Sequence, residues 1–244
     1  MREIAYLHIQ RKIASRALRA GQPVSELPVS KELGISRTPT REAIRQLVAE
    51  GVLEEVPGRG VLVVKLDTRD IAELFEVREA LEVQAVEKVA GQLTGQLELG
   101  NLRKIADEVQ ELALELDHSG RERLNPEQMT RFEATDLGFH TYLLQMAGNQ
   151  HSLKIMNGLR VLIRIVASRR VGHGKEALLR IHKDHRDVIT AIEANDPDRA
   201  AAVLSAHIRA SQKERVEQFV QRERESALPQ DINAFIRDIQ AELT

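Results

Sequence analysis

The chain has no cysteine and no tryptophan, and aromatic residues make up only 3% of its 244 positions. Without cysteine there are no disulfides and no thiolate metal sites, so redox chemistry says nothing about compartment. No stretch of the length needed to cross a bilayer is continuously apolar, and no charged-then-apolar leader opens the chain. A soluble, cytoplasmic protein with no membrane partner is expected. Internal repeats and low-complexity tracts are also missing. The scarcity of aromatics, set beside abundant Ala, Leu, Glu and Arg, favours a mostly helical fold.

With 42% hydrophobic residues the chain can build two cores. Its net charge of −2 is unevenly divided. Residues 1–66 carry 11 Lys and Arg against 7 Asp and Glu, a net +4, while the remainder carries 24 against 30, a net −6. A basic N-terminal unit suits attraction to phosphate, and the acidic remainder suits another task.

Residues 29–64 are the most informative stretch. A short helix runs into Gly34-Ile35-Ser36, where glycine can take the left-handed conformation that ends a helix and serine can offer a side-chain cap to the next. Thr38 and Pro39 fit the first turn of that second helix. At 100° per residue, Ala43, Ile44, Leu47 and Val48 share one face of it, and Thr38, Arg41, Arg45 and Gln46 the adjacent one. Arg37, Arg41 and Arg45, spaced i, i+4, i+8, form an exposed basic stripe, the position from which arginines reach base edges or phosphates in a helix-turn-helix. A solvated charged face is the plain alternative, but the turn, the cap and a hairpin accompany the stripe. In that hairpin Val52 to Val56 and Val61 to Val64 read as strands joined by Pro57-Gly58-Arg59-Gly60, a wing with Arg59 at its tip and glycines that permit close approach.

The run from Ser36 to Ile44, with Leu47, Glu50-Gly51 and Gly58-Arg59-Gly60, resembles the GntR family of bacterial transcription regulators. The resemblance implies that Arg37, Thr38, Arg41 and the wing tip, Arg59 and Gly60, contact double-stranded operator DNA, with Arg45 on the same stripe. The acyl-CoA-responsive member of that family uses a further arginine where this chain has Leu27, so its operator does not transfer.

An opening helix is expected over 4–20, with Ile9, Ile13 and Ala17 on one face, ended by Gly21 and Pro23. Residues 1–66 then form a winged helix-turn-helix, 67–69 a linker with Asp67 or Thr68 as the next cap, 70–223 an all-helical antiparallel bundle, and 224–244 a C-terminal extension containing Ile232, Phe235, Ile236 and Ile239. In the bundle, helices are expected near 69–90, 95–118, 126–147, 151–171, 175–194 and 197–223, punctuated by Gly91, Gly120, Pro126, Gly148-Asn149, Gly172 and Pro197.

Asp136 and His140 stand one helical turn apart on one face, and His185 and His207 lie on later helices. Carboxylate and imidazole ligands suit a borderline divalent cation such as zinc, nickel or manganese. Spacing alone is weak evidence, since helical histidines are more often core or surface residues. The context of Asp136-Leu137-Gly138-Phe139-His140, Gly148-Asn149, His185 and His207-Ile208, with Arg78, Leu81 and Glu82 upstream, resembles the FCD effector-binding domain of the FadR subfamily. The resemblance implies that Asp136, His140, His185 and His207 are the metal ligands of a metal-binding member. His182, one turn before His185, ranks below it, and His8, His118, His151 and His173 receive no role.

The expected function is a homodimeric, ligand-responsive regulator, most simply a repressor, binding a pseudo-palindromic operator and holding a small organic acid on the metal. Arg78, at a position that faces the family's cavity, and Arg164, mid-helix, are the candidate effector-binding cations; for both a salt bridge is the alternative. Two other classes compete: a constitutive DNA-binding protein with a structural metal, and a metal-dependent hydrolase. No general base stands beside the ligands, so an enzyme is not expected.

Overall fold

The computed structural model describes residues 1–15, 17–166 and 172–227. The first unit comprises α1 (Arg2–Ala14), α2 (Glu26–Leu33), α3 (Arg37–Ala49) and an antiparallel pair, β1 (Leu53–Val56) and β2 (Gly60–Val63), in register Leu53 to Val63. Gly34 takes φ 64°, ψ 30°, the left-handed geometry that turns α2 into α3. Ser36 occupies the N-cap of α3 in extended conformation, but its side chain makes no capping bond, so the expected cap is one of position only.

The opening helix is shorter than its periodicity predicts. It ends at Ala14, and Ala17 is exposed. The chain after it turns to run beside the wing: Gly21 donates to the Val63 carbonyl, Val63 to that of Gln22, and Val24 to that of Val61. These bonds tie residues 21–24 to β2, just beyond the expected helix end, so the stretch leading into them follows the tertiary pairing rather than local helix preference. Ile9 and Ile13 of α1, Val29 of α2, Ile44 and Leu47 of α3 and Val52, Leu53 and Val63 of the wing close one apolar core.

The remaining helices are α4 (Thr68–Ala90), α5 (Gln96–Ser119), α6 (Pro126–Met146), α7 (Gln150–Val166), α8 (Lys175–Glu193) and α9 (Pro197–Ala227), close to the ranges expected. Asp67 caps α4 by accepting from the Arg69 and Asp70 amides, with Asp70 reciprocating, and Asn125 with Gln128 does the same for α6; each such cap stabilises its helix by about 1 kcal/mol. Helix α4 packs along α9, and α5 along α6 and α8. The bundle has two apolar clusters, one around Phe139, Leu143, Leu144, Met156 and Ile189, the other around Leu112, Phe132 and Leu178. The described part of α9 reaches Ala227, past the expected end at 223; the stretch around Ile232 and Phe235 lies outside the described residues. No helix among the described residues is long and apolar enough to cross a membrane.

Helix α7 joins the two units. Its Val161 and Leu162 pack against the winged-helix core, while the neighbouring Arg160 and Ile163 line a cavity in the bundle. Ala14, at the end of α1, lines that cavity as well.

Candidate effector cavity, metal centre and nucleic-acid interface

Asp136 and His140 of α6, His185 of α8 and His207 of α9 converge at the heart of the bundle, with one donor atom from each lying within 4.8 Å of all the others. A metal about 2.0–2.1 Å from an imidazole nitrogen sets neighbouring donors roughly 3–4 Å apart, so this grouping needs only a small contraction. Asp136 Oδ1 is 3.7 Å from His140 Nε2 and 3.6 Å from His185 Nε2. All three imidazoles are buried, and His140 Nε2, His185 Nε2 and His207 Nε2 have no hydrogen-bond partner among the described residues. Buried nitrogens are normally satisfied, and three orphans facing one carboxylate fit a divalent cation.

The rings are fixed from behind. His140 Nδ1 sits 2.6 Å from Glu82 Oε2, and His207 Nδ1 is 3.2 Å from Asp184 Oδ2. A carboxylate thus stands beside Nδ1 in both rings, as a close ion-pair contact at His140 and a hydrogen bond at His207, and Nε2 is left facing inward, the arrangement common around protein metal ions. His185 is held by stacking, its ring 3.8 Å from that of Phe139 and inclined by 7°. Burial pushes Glu82 up, but Arg78 and His140 outweigh it and hold the carboxyl at about 2. Asp136 likewise stays well below the carboxylate range despite burial, because of His140, His185 and Arg78. Burial, reinforced by His207, drives His185 far down; burial also lowers His207 against the pull of Asp184. His140 goes the other way, Glu82 overcoming its burial. Two neutral imidazoles and an ionised carboxylate are the ligand forms a cation requires.

Asp136 and His140 also line the cavity, about 130 Å³ in volume. Arg78 lines it too, 3.1 Å from Glu82 and over the Phe75 ring at 5.5 Å. Arg78 thus lines the cavity and also makes the salt bridge given as its alternative. The side chain of Arg164 lies outside the described residues. His182, the substitute ligand, is instead 3.2 Å from Asp107 and apart from the cluster. His173, which sequence reasoning left without a role, is in the cavity wall, edge-on to Phe132 at 4.6 Å; burial, with Arg215 next, pushes it down to about 4. Sequence reasoning also missed Arg215, Glu133 and Ser211 of the same wall. For Arg215 a signal existed, since it comes two helical turns after His207. For Asp184 there was none.

On the winged helix, Arg37, Thr38, Arg41 and Arg45 of α3 and Arg59 and Gly60 of the wing are all exposed. Gly60 adopts φ 81°, and with Gly58 at 74° it forms a tip that only glycine takes without strain. Glu26, at the start of α2, was not anticipated. Its carboxylate accepts from Arg37 Nε at 3.2 Å and from Arg41 Nε and Nη2 at 2.5 and 3.1 Å. Arg41, then Arg37, hold Glu26 below its ordinary range. The bidentate clasp fixes Arg41 in the plane of its fork, the geometry with which arginine meets a guanine edge.

Two family models cover these units, that of the bacterial regulatory proteins, gntR family, over residues 2–63 and that of the FCD domain over residues 73–210. The chain belongs to the GntR family, with an FCD domain. It is 31% identical to a probable D-xylose utilization operon transcriptional repressor of Paenarthrobacter nicotinovorans, across 82% of this chain and 81% of that one. It is 27% identical to the HTH-type transcriptional repressor RspR of Escherichia coli K12 across 83% of each. Among solved structures, E. coli McbR/YncC superposes with a TM-score of 0.71 over 89% of this chain and 98% of that one at 18% identity, and a GntR regulator from Rhodococcus sp. RHA1 with 0.67 over 88% and 97%, also at 18%. These likenesses establish the same fold. This GntR protein is thus a DNA-binding transcription regulator and not an enzyme.

Proposed function

We propose that this regulator is a homodimeric repressor of the metal-binding FadR type, released from a pseudo-palindromic operator by a small organic acid anchored on a divalent metal, zinc in the first place. Asp136, His140, His185 and His207 hold the ion, which when bound supplies a Lewis-acidic seat for a carboxylate. The observation that carries this reading is that orphaned imidazole nitrogens of His140, His185 and His207 converge on Asp136, beside a cavity that Asp136, His140 and Arg78 line. A cavity of about 130 Å³ has room for a small acid. That two relatives are described as repressors supports the sign.

On this reading Arg37, Thr38, Arg41, Arg45 and the wing tip address DNA, and two copies are required because one recognition helix spans only a few base pairs. Transmission runs through α7 and the end of α1, which touch both the cavity and the winged helix. An acid that prefers one seating of α7 shifts the population of winged-helix arrangements. The domain limits 1–66, 67–69, 70–223 and 224–244 follow the same division.

The test is metal analysis of purified protein, followed by fluorescence anisotropy on operator DNA with and without acids. About one divalent ion per chain is expected, with acid-induced release that disappears on stripping the metal. A metal-free, folded protein whose operator binding ignores every acid would remove the proposal. Operator binding that persists with metal present and acids inert would make the metal structural.

A further inference from the structure

We propose that the cavity contains a second anion subsite built on Arg215, so that the effector is a short diacid rather than a monocarboxylate. This rests on the metal-anchored reading above and specifies its ligand class. Arg215 is in α9, eight residues after His207, which separates their Cα atoms by about 12 Å along the helix axis. Helical side chains lean toward the N-terminus, so Arg215 reaches back over Ser211 toward the metal ligands. Ser211 and Arg215 both line the cavity. The metal seat and this guanidinium then stand at two ends of one space, with Phe75, Phe132 and Ile163 providing apolar wall.

The charges around Arg215 explain why it awaits an anion. It makes no hydrogen bond or ion pair with a described residue. The charged groups nearest in influence are Glu133, Asp136, Arg78 and Glu214. Glu214 is bonded to Arg180, Arg78 to Glu82, and Asp136 belongs to the metal cluster. Among the described residues, Glu133 is the wall carboxylate with the largest influence on it. A half-buried guanidinium in a cavity wall, with no ion-pair partner among the described residues, can take a ligand carboxylate through two parallel bonds. A diacid of four or five carbons places one carboxylate on the metal beside Arg78, its methylenes against the phenylalanines and its second carboxylate on Arg215.

The test is isothermal titration of the zinc-loaded full-length protein with length-matched pairs, succinate against butyrate and glutarate against pentanoate. At least one diacid is expected to bind tenfold or more tightly than its monoacid. Arg215→Gln should abolish that advantage while leaving monoacid affinity unchanged, and Arg215→Lys should restore part of it, since lysine keeps the charge but not the fork. Equal affinity within each pair in the wild-type protein, or an equal loss for both acids in Arg215→Gln of native circular dichroism, overturns the subsite. Monoacids that bind only when zinc is present, with no diacid advantage, overturn it alone. If no acid binds at all, the metal-anchored reading falls and the subsite with it.

Discussion

Removing the metal should destabilise the helical unit by a predictable amount. His140 Nε2, His185 Nε2 and His207 Nε2 are buried without partners among the described residues, and a buried orphan nitrogen costs about 1–3 kcal/mol. Three of them represent a gross penalty of roughly 3–9 kcal/mol that a coordinated ion relieves, offset by the cost of dehydrating that ion. The net gain is set by mass action: free zinc at 100-fold above its Kd stabilises the folded state by about 2.7 kcal/mol. For a chain of this size each kcal/mol moves Tm by roughly 2–4 °C, so reloading chelator-stripped protein should raise Tm by about 5–10 °C. Differential scanning calorimetry on stripped, zinc-, nickel- and manganese-loaded samples reads this directly, and Asp136→Ala should lose most of the shift. An unchanged Tm with all three metals, or a full shift in Asp136→Ala, would refute the assignment of these four residues.

The other predictions concern the groups behind and beside the site. Glu82→Gln should weaken metal affinity by about 10- to 100-fold, because His140 loses the carboxylate behind its Nδ1 while every ligand stays in place; competition with a chelating dye measures it. Arg41→Ala should reduce specific operator binding by about 1–3 kcal/mol with the fold intact, and unchanged affinity in anisotropy would end its assigned role. Glu26→Gln should raise affinity for random DNA and narrow the ratio of specific to non-specific binding, since it removes a carboxylate beside the phosphates and loosens Arg41; a ratio that stays constant argues against that role. His173 is pushed down to about 4 in the folded chain, so between the ordinary value of about 6.5 and 4 the unfolded chain binds the extra proton. Stability is therefore full above about pH 6.5 and falls by up to about 3 kcal/mol as pH drops toward 4. His173→Gln should flatten that part of the profile in urea melts, and a profile identical to wild type would dismiss the effect.

Much of the architecture was legible because punctuation in this chain is strong. Gly34, Asp67, Gly120, Asn125-Pro126 and Pro197 begin or end helices within a residue or two of where their conformational preferences require. The opening helix is the exception. Beyond Ala14 the periodicity still reads as helix, but β2 offers the backbone of residues 21–24 hydrogen bonds that a sequence does not display.

The site divides in the same way. Asp136 and His140 share a face by their spacing alone, and resemblance brought in His185 and His207, so the candidate ligand set came from the sequence together with the family it resembles. The groups that orient and complete it were decided only by tertiary structure. Glu82 meets His140 across two helices, Asp184 meets His207 from a chain distance of 23 residues, and Glu26 clasps an arginine 15 residues away. Helical period fixes which face of a helix a residue occupies. The neighbour that face meets depends on the rotation and crossing of packed helices, which is set by how all the apolar faces fit together at once.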